Sequence, residues 1–84
     1  MYTVYVLADS FGKLYKGMTN NLGRRFSEHC RGKTKTTSKM NNLRIIYSEN
    51  YSSFIIARKR ELYFKSAAGR KFLKTVLGAY SSAG

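Results

Sequence analysis

Acidic residues, cysteine and histidine are all scarce in this chain of 84 residues. The single cysteine, Cys30, excludes a disulfide within the chain, and no group of residues has the spacing of a zinc site. Cys30 follows Leu22 and Phe26 at helical spacing, so it is expected to be a small buried hydrophobe. A thiol nucleophile would need a base and an orienting group that the sequence does not supply around it. This cysteine usage fits a reducing compartment, and the expected location is cytoplasmic. No apolar run approaches the ~20 residues of a spanning helix. The first residues lack the basic region and cleavage site of a secretory leader. No internal repeat or low-complexity segment is present. Four acids exist, Asp9, Glu28, Glu49 and Glu61. Any magnesium-type ion requires hard oxygen ligands, so its protein carboxylate must come from these four.

Lysine and arginine, by contrast, total 16, which leaves a formal net charge of +12. A balance this lopsided repels itself unless an anion screens it. Nucleic acid is the usual partner of such a chain and ranks well above an anionic membrane surface. The length allows one domain, which buries roughly 60% of the surface its unfolded chain exposes.

The pattern of the chain reads β-β-α-β-α-α. Residues Met1 to Ala8 are rich in β-branched and aromatic side chains and predict a strand. Asp9-Ser10-Phe11-Gly12 carries turn chemistry, and a second strand over Lys13 to Met18 completes a hairpin. Tyr5 and Tyr15 share a face if they sit directly opposite each other, whereas a register one residue away separates them. Asn20 or Asn21 caps a short helix, with Leu22, Phe26 and Cys30 on its buried side. Arg25 and His29 lie four apart beside that stripe, and Gly32 ends the helix. Gly32 to Asn42 reads as a lysine-rich loop, an arm suited to phosphates. Leu43 to Tyr51 alternates as a third strand, with Leu43, Ile45, Tyr47 and Tyr51 on one side. Ser52 or Ser53 caps a long helix reaching about Lys65. Ala67-Ala68-Gly69 is expected to break it, and Arg70 to Leu77 to form a third helix. The domain is expected to span residues 1–78 and residues 79–84 to be a flexible tail. The fold class is α+β, a three-stranded antiparallel sheet flanked by helices.

Few residues in this frame invite chemistry. Glu61 shares a helix face with Phe54, Ala57 and Phe64. A carboxylate on an apolar face is costly unless a cation meets it. That cation is a metal or an arginine such as Arg25, or else the glutamate reaches water from the edge of the core. His29 can act as base, acid or ligand near neutrality, although a histidine beside a helix core is more often packed. Gly17 inside a strand marks close approach of another group. Arg25 offers a planar fork to a phosphate. Glu28 reads as a solvated ion pair among arginines.

Thr3-Val4-Tyr5, Tyr15-Lys16-Gly17, Thr19-Asn20-Asn21-Leu22, Arg24-Arg25-Phe26, Glu28-His29 and Ala57-Arg58-Lys59-Arg60-Glu61 occur in this order. Together they resemble the GIY-YIG nuclease superfamily, in particular its short single-domain branch, similar to the nuclease domain of the UvrC repair protein. The resemblance implies a metal-dependent endonuclease that hydrolyses phosphodiester bonds in DNA, structured or damaged. It places Tyr5, Tyr15, Arg25, His29 and Glu61 in catalysis, with Gly17 as the structural glycine of the second motif. Glu61 is then the metal ligand, for one Mg²⁺ or Mn²⁺ ion. Arg24, Lys33, Lys35 and Lys39 are expected to contact nucleic acid, and other proteins to supply targeting. The chain departs from the family pattern at Thr3, Lys16 and Met18. An alternative is therefore a catalytically weak or inactive nucleic-acid-binding module on the same fold.

Overall fold

The computed structural model describes residues 1–32, 40 and 42–77. Its elements are β1 (Tyr2–Ala8), β2 (Leu14–Thr19), α1 (Leu22–Cys30), β3 (Arg44–Tyr51), α2 (Phe54–Lys65) and α3 (Ala67–Val76). All pairings are antiparallel and the strand order is β2-β1-β3, so β1 runs down the centre. This is the expected β-β-α-β-α-α order and α+β class. The expected tail and the loop lysines Lys33, Lys35 and Lys39 lie outside the described residues.

The central strand is buried on both sides. Val4 and Val6 join Ala57, Phe64, Leu73 and Leu77 in one core, which therefore lies between the sheet and α2 and α3. Tyr5 and Leu7 alternate to the opposite side and are equally buried. Each such aliphatic or aromatic side chain contributes about 1.5–3 kcal/mol on burial.

Register follows from local chemistry. The Asp9 carboxylate accepts the Phe11 and Lys13 amides at 2.9 and 2.8 Å and so locks the hairpin turn. Gly12 takes the left-handed conformation, φ +84°, that this turn requires. Tyr5 then faces Gly17, and Leu7 faces Tyr15. The two tyrosines are thus not directly opposite, but their offset is two residues and they share a face.

The structure corrects three details. First, α1 buries His29 alone, while Cys30 is exposed. The helix starts at Leu22 with Asn21 as its cap, and it turns His29, not Cys30, toward the sheet, where the ring meets the Tyr5 hydroxyl. Second, β3 carries a bulge opposite Val6 and Leu7, which pair with Tyr47 and Ile45 respectively. The extra residue, Ile46, packs against the core and reverses the alternation, so Ile45 and Tyr47 do not share a side. Third, Ala67-Ala68-Gly69 does not break a helix but opens α3. The break is one residue, Ser66, whose hydroxyl caps the Gly69 amide at 3.2 Å. Gly69 is needed for space: a Cβ there would lie 1.8 Å from the Tyr63 carbonyl oxygen.

The sheet and helices are joined by Glu49 and Arg60. On the Val4 side of the sheet, Glu49 accepts Arg60 Nε at 2.8 Å and Nη2 at 3.1 Å. It also accepts the hydroxyls of Tyr47 at 2.5 Å and Tyr51 at 2.6 Å. The Arg60 guanidinium carbon lies over the rings of Tyr63, Phe64 and Phe72, at 5.0, 4.7 and 4.7 Å from their centroids. One planar cation thus links β3, α2 and α3. Burial pushes the Glu49 carboxyl up, but the bonds from Arg60, Tyr47 and Tyr51 outweigh it and hold it at about 2.

Because the folded carboxyl ionises below its ordinary 4.5, its stabilisation is present above that value and is lost as pH falls toward 2. The depression corresponds to at most about 3 kcal/mol. Urea midpoints should therefore fall steeply between pH 4.5 and 2 in the wild type. Glu49→Gln should be about 2–4 kcal/mol less stable at neutral pH and should lose most of that acid limb. Gly69→Ala should lower stability by about 1–3 kcal/mol, read as a fall in Tm.

Candidate functional site

The site begins with the glycine of β2. A Cβ at Gly17 would lie 2.6 Å from Tyr5 Oη and 3.0 Å from a Tyr15 ring carbon. The approaching group that a glycine in a strand implies is therefore the Tyr5 phenol, laid across β2. Its ring is 1% exposed. Tyr15 packs beside it, ring centroids 6.2 Å apart.

Helix α1 supplies the next two side chains. Thr19 at the end of β2 accepts the Asn21 amide at 3.1 Å, and the Asn21 side chain caps the Arg24 amide at 3.1 Å. This tight junction fixes where α1 starts, and hence which of its residues meet the tyrosines. His29 Nε2 is 2.9 Å from Tyr5 Oη. The His29 ring meets Tyr15 edge-on at 4.8 Å. Arg25, one turn earlier, is held by Glu28 at 3.1 Å and interacts with both phenols. The Glu28 ion pair is the one expected from the sequence.

Glu61 stands on α2, and its link to the tyrosines is its charge, the weakest of the influences on Tyr5. It is 7% exposed. Its oxygens meet neither Arg25 nor an open face. Arg58 Nη1 binds Oε1 at 2.5 Å and Lys65 Nζ binds Oε2 at 3.2 Å. Both partners were readable from i, i+3 and i, i+4 spacing on the helix. Among the described residues no three of His, Cys, Asp and Glu come together as a metal site. A lone hard carboxylate nevertheless suits an ion of the magnesium type, which keeps most of its water and takes one or two carboxylates. The Lys65 side chain is half exposed and can swing away from Oε2.

Arg24 is exposed and lines a shallow cleft with Arg25, Tyr2, Met18 and Phe54. Lys16 and Met18 pair with Val6 and Val4, so both lie on the sheet face away from the tyrosines. Lys16 is not sealed in the core; it borders an open cleft at the hairpin end of the sheet. Sequence reasoning passed over Glu49 and Arg60. The alternation Tyr47, Glu49, Tyr51 carried the signal, since it sets an acid on a buried face and requires a cation to meet it.

The family comparison agrees with this geometry. The model of the GIY-YIG catalytic domain matches residues 1–74. The chain belongs to the GIY-YIG catalytic domain family. It is similar to a UPF0213 protein of Limosilactobacillus reuteri (strain DSM 20016), 37% identical over 79 residues, which cover 90% of this chain and 82% of that one. A UPF0213 protein from the VLF1-GP41 intergenic region of Autographa californica nuclear polyhedrosis virus is 32% identical, over 86% of this chain and 71% of the viral one. The solution NMR structure of a UPF0213 protein from Bacillus halodurans matches with a TM-score of 0.56 and 28% identity, covering 90% of this chain and 85% of that one. Nucleic-acid hydrolysis is the activity that a GIY-YIG domain implies, and nucleic acid the partner class. Among the described residues no helix is long and apolar enough to cross a membrane.

Protonation states in this GIY-YIG domain follow from burial. Burial pushes the Tyr5 phenol up to about 12, against the opposing pull of Arg25. Burial, then the Arg25 charge, lowers His29 below its ordinary value, and Glu28 offsets part of this. Near neutrality Tyr5 is therefore protonated and His29 neutral. In the tautomer with its proton on Nδ1, His29 accepts the Tyr5 hydroxyl at Nε2.

NMR titration of the single histidine should give a midpoint below its ordinary 6.5. Arg25→Ala should raise that midpoint, because it removes the nearby cation. Gly17→Ala should displace the Tyr5 phenol, shift the His29 resonances and cost about 1–3 kcal/mol of stability.

Proposed function

We propose that this protein is a metal-dependent endonuclease acting on DNA, on structured or damaged sites. The reading rests on one observation above the rest. A protonated tyrosine is hydrogen-bonded to a neutral histidine, with an arginine beside both and a buried glutamate within electrostatic reach. Tyr5, Tyr15, Arg25, His29 and Glu61 are its catalytic residues, Gly17 makes room for them, and Arg24 contacts nucleic acid. The protein acts in the cytoplasm, with other proteins supplying targeting.

Hydrolysis of a phosphodiester requires a water to lose a proton and charge on phosphorus to be neutralised. Arg25 binds the non-bridging oxygens through its planar fork. Tyr5 and Tyr15 frame the attacking water. As the water attacks phosphorus, its proton passes to Tyr5 Oη while the Tyr5 proton passes to His29 Nε2. Tyr5 is never a free phenolate, so its raised pKa does not oppose the step. The bond from phosphorus to the leaving ester oxygen breaks as the new one forms, and that oxygen takes up a proton from solvent. The imidazolium formed beside Arg25 returns its proton to solvent. Glu61 would hold the divalent ion, one Mg²⁺ or Mn²⁺, which when bound would supply Lewis-acid stabilisation of the developing charge. The single carboxylate makes this a one-ion arrangement.

A second reading, a nucleic-acid-binding module without turnover, is favoured by the two cations already holding Glu61. Incubation with branched, nicked and single-stranded DNA and Mg²⁺ or Mn²⁺ separates the two. Cleavage is expected with metal. It should be lost in Glu61→Ala and reduced about 10²–10³-fold in Arg25→Ala. The wild-type rate should fall as pH drops through the lowered His29 pKa and stay level near neutrality. Cleavage that ignores Glu61→Ala, or no cleavage on any substrate, would sink the enzymatic reading. Binding that survives both substitutions without turnover would establish the second.

A further inference from the structure

A larger cleft, about 670 Å³, opens at the other end of the sheet. It lies between the β1–β2 turn and α3, on the face of the sheet that carries Lys16 and not the tyrosines. The volume suits a small ligand or one unit of a polymer. Leu14, Leu73 and Leu77 give it apolar walls, and Lys16, Arg70 and Lys74 contribute cations. Arg44 from β3 adds another. None of Lys16, Arg70 and Lys74 forms an ion pair with a carboxylate among the described residues. Lys16 instead feels the charges of Arg70 and Lys65. The one acid on the wall, Asp9, is 2% exposed and directs Oδ1 to the amides of Phe11 and Lys13. Like charges gathered on an apolar wall call for an anion with an apolar body.

Phe11 indicates what kind of body. It stands at the hairpin tip, 78% exposed, on the rim of the cleft. The turn beneath it is held by four bonds: Asp9 N–H donates to the Lys13 carbonyl at 3.0 Å and Gly12 N–H to the Asp9 carbonyl at 3.2 Å, in addition to the two bonds to Oδ1. An exposed aromatic ring on a well-bonded turn beside clustered cations is the arrangement on which unpaired bases stack while their phosphates are neutralised.

We propose that this cleft binds a nucleotide unit, its base on Phe11 and its phosphate on Arg70, Lys16 and Lys74, as a second nucleic-acid contact separate from the tyrosine site. Its natural source is a single-stranded segment of the bound nucleic acid. The inference rests on the nucleic-acid reading of this family member but not on turnover.

The test uses the full chain in EDTA, so that hydrolysis plays no part. A labelled oligothymidylate is titrated at low salt by fluorescence anisotropy, and amide shifts are followed by NMR. Phe11→Ala, which changes no charge, should weaken binding roughly tenfold, the scale of losing one stacked base. Arg70→Glu should weaken it at least as much and flatten the dependence of log affinity on log salt by about 0.7 for the lost cation. Lys59→Glu, the same charge change at an exposed position of α2, should have a clearly smaller effect. Both cleft residues are exposed or at the rim, so melting temperatures should hold. Amides of Phe11, Gly12, Lys16 and Arg70 should shift on addition of oligothymidylate. If thymidine monophosphate shifts the same amides with equal affinity, the source is a free nucleotide and not a strand. The proposal is overturned if Phe11→Ala binds like wild type, if Lys59→Glu loses as much as Arg70→Glu, or if the shifts map only around Arg24 and Arg25. Absence of cleavage in the metal assay would leave this result standing, and failure here would leave the cleavage reading standing.

Discussion

The joint between Glu49 and Arg60 sets most of the geometry. Helix α2 could slide along an apolar sheet surface at little cost, because dispersion and burial are not directional. A bidentate ion pair, two phenol hydroxyls on the same carboxylate and three rings under the guanidinium remove that freedom. Glu61 follows Arg60 directly. Whatever fixes Arg60 on β3 also fixes the height and rotation at which α2 presents Glu61. The pair is structural in itself, yet it determines the position of the carboxylate proposed above as the metal ligand.

The other half of the site is fixed by an absence. Tyr5 occupies the middle of the central strand, where a large ring on a sheet face needs a vacant neighbour. Gly17 provides it directly across the ladder. The phenol then points over β2 to α1, and the tight Thr19–Asn21 junction brings His29 to meet it. Burial does the electrostatic work. It keeps Tyr5 protonated and His29 neutral, which is the pair of states a proton relay starts from.

Most of the fold was legible because β1 is rich in β-branched and aromatic residues, α1 and α3 are amphipathic, and the turns carry their own chemistry at Asp9, Asn21 and Ser53. The sequence pattern failed where the period itself is interrupted. The Ile46 bulge reverses a face midway through β3, and nothing local to Ile46 announces it. Ser66 separates two helices by one residue, while the conspicuous small residues Ala67, Ala68 and Gly69 belong to the second. Cys30 was misplaced because it is the last residue of a short helix, one position past His29, and the polar His29 turns inward to meet Tyr5. At the candidate site, the grouping of Tyr5, Tyr15, Arg25 and His29 could be anticipated from motif order. Arg58 and Lys65 stood at readable helical spacings from Glu61, but nothing in that spacing ranked them above a metal, Arg25 or solvent.

All four acidic side chains are engaged within the fold: Asp9 by the turn amides, Glu28 by Arg25, Glu49 by Arg60 and Glu61 by Arg58 and Lys65. No acid is left over to interrupt the outward field of the remaining lysines and arginines. Ionic strength then acts on this molecule with two opposite signs. Added salt screens the self-repulsion and tightens the free fold, while the same ions compete for the surface that a polyanion would cover. The free protein is thus most strained where its affinity for a polyanion is greatest, and binding relieves the repulsion that low salt imposes.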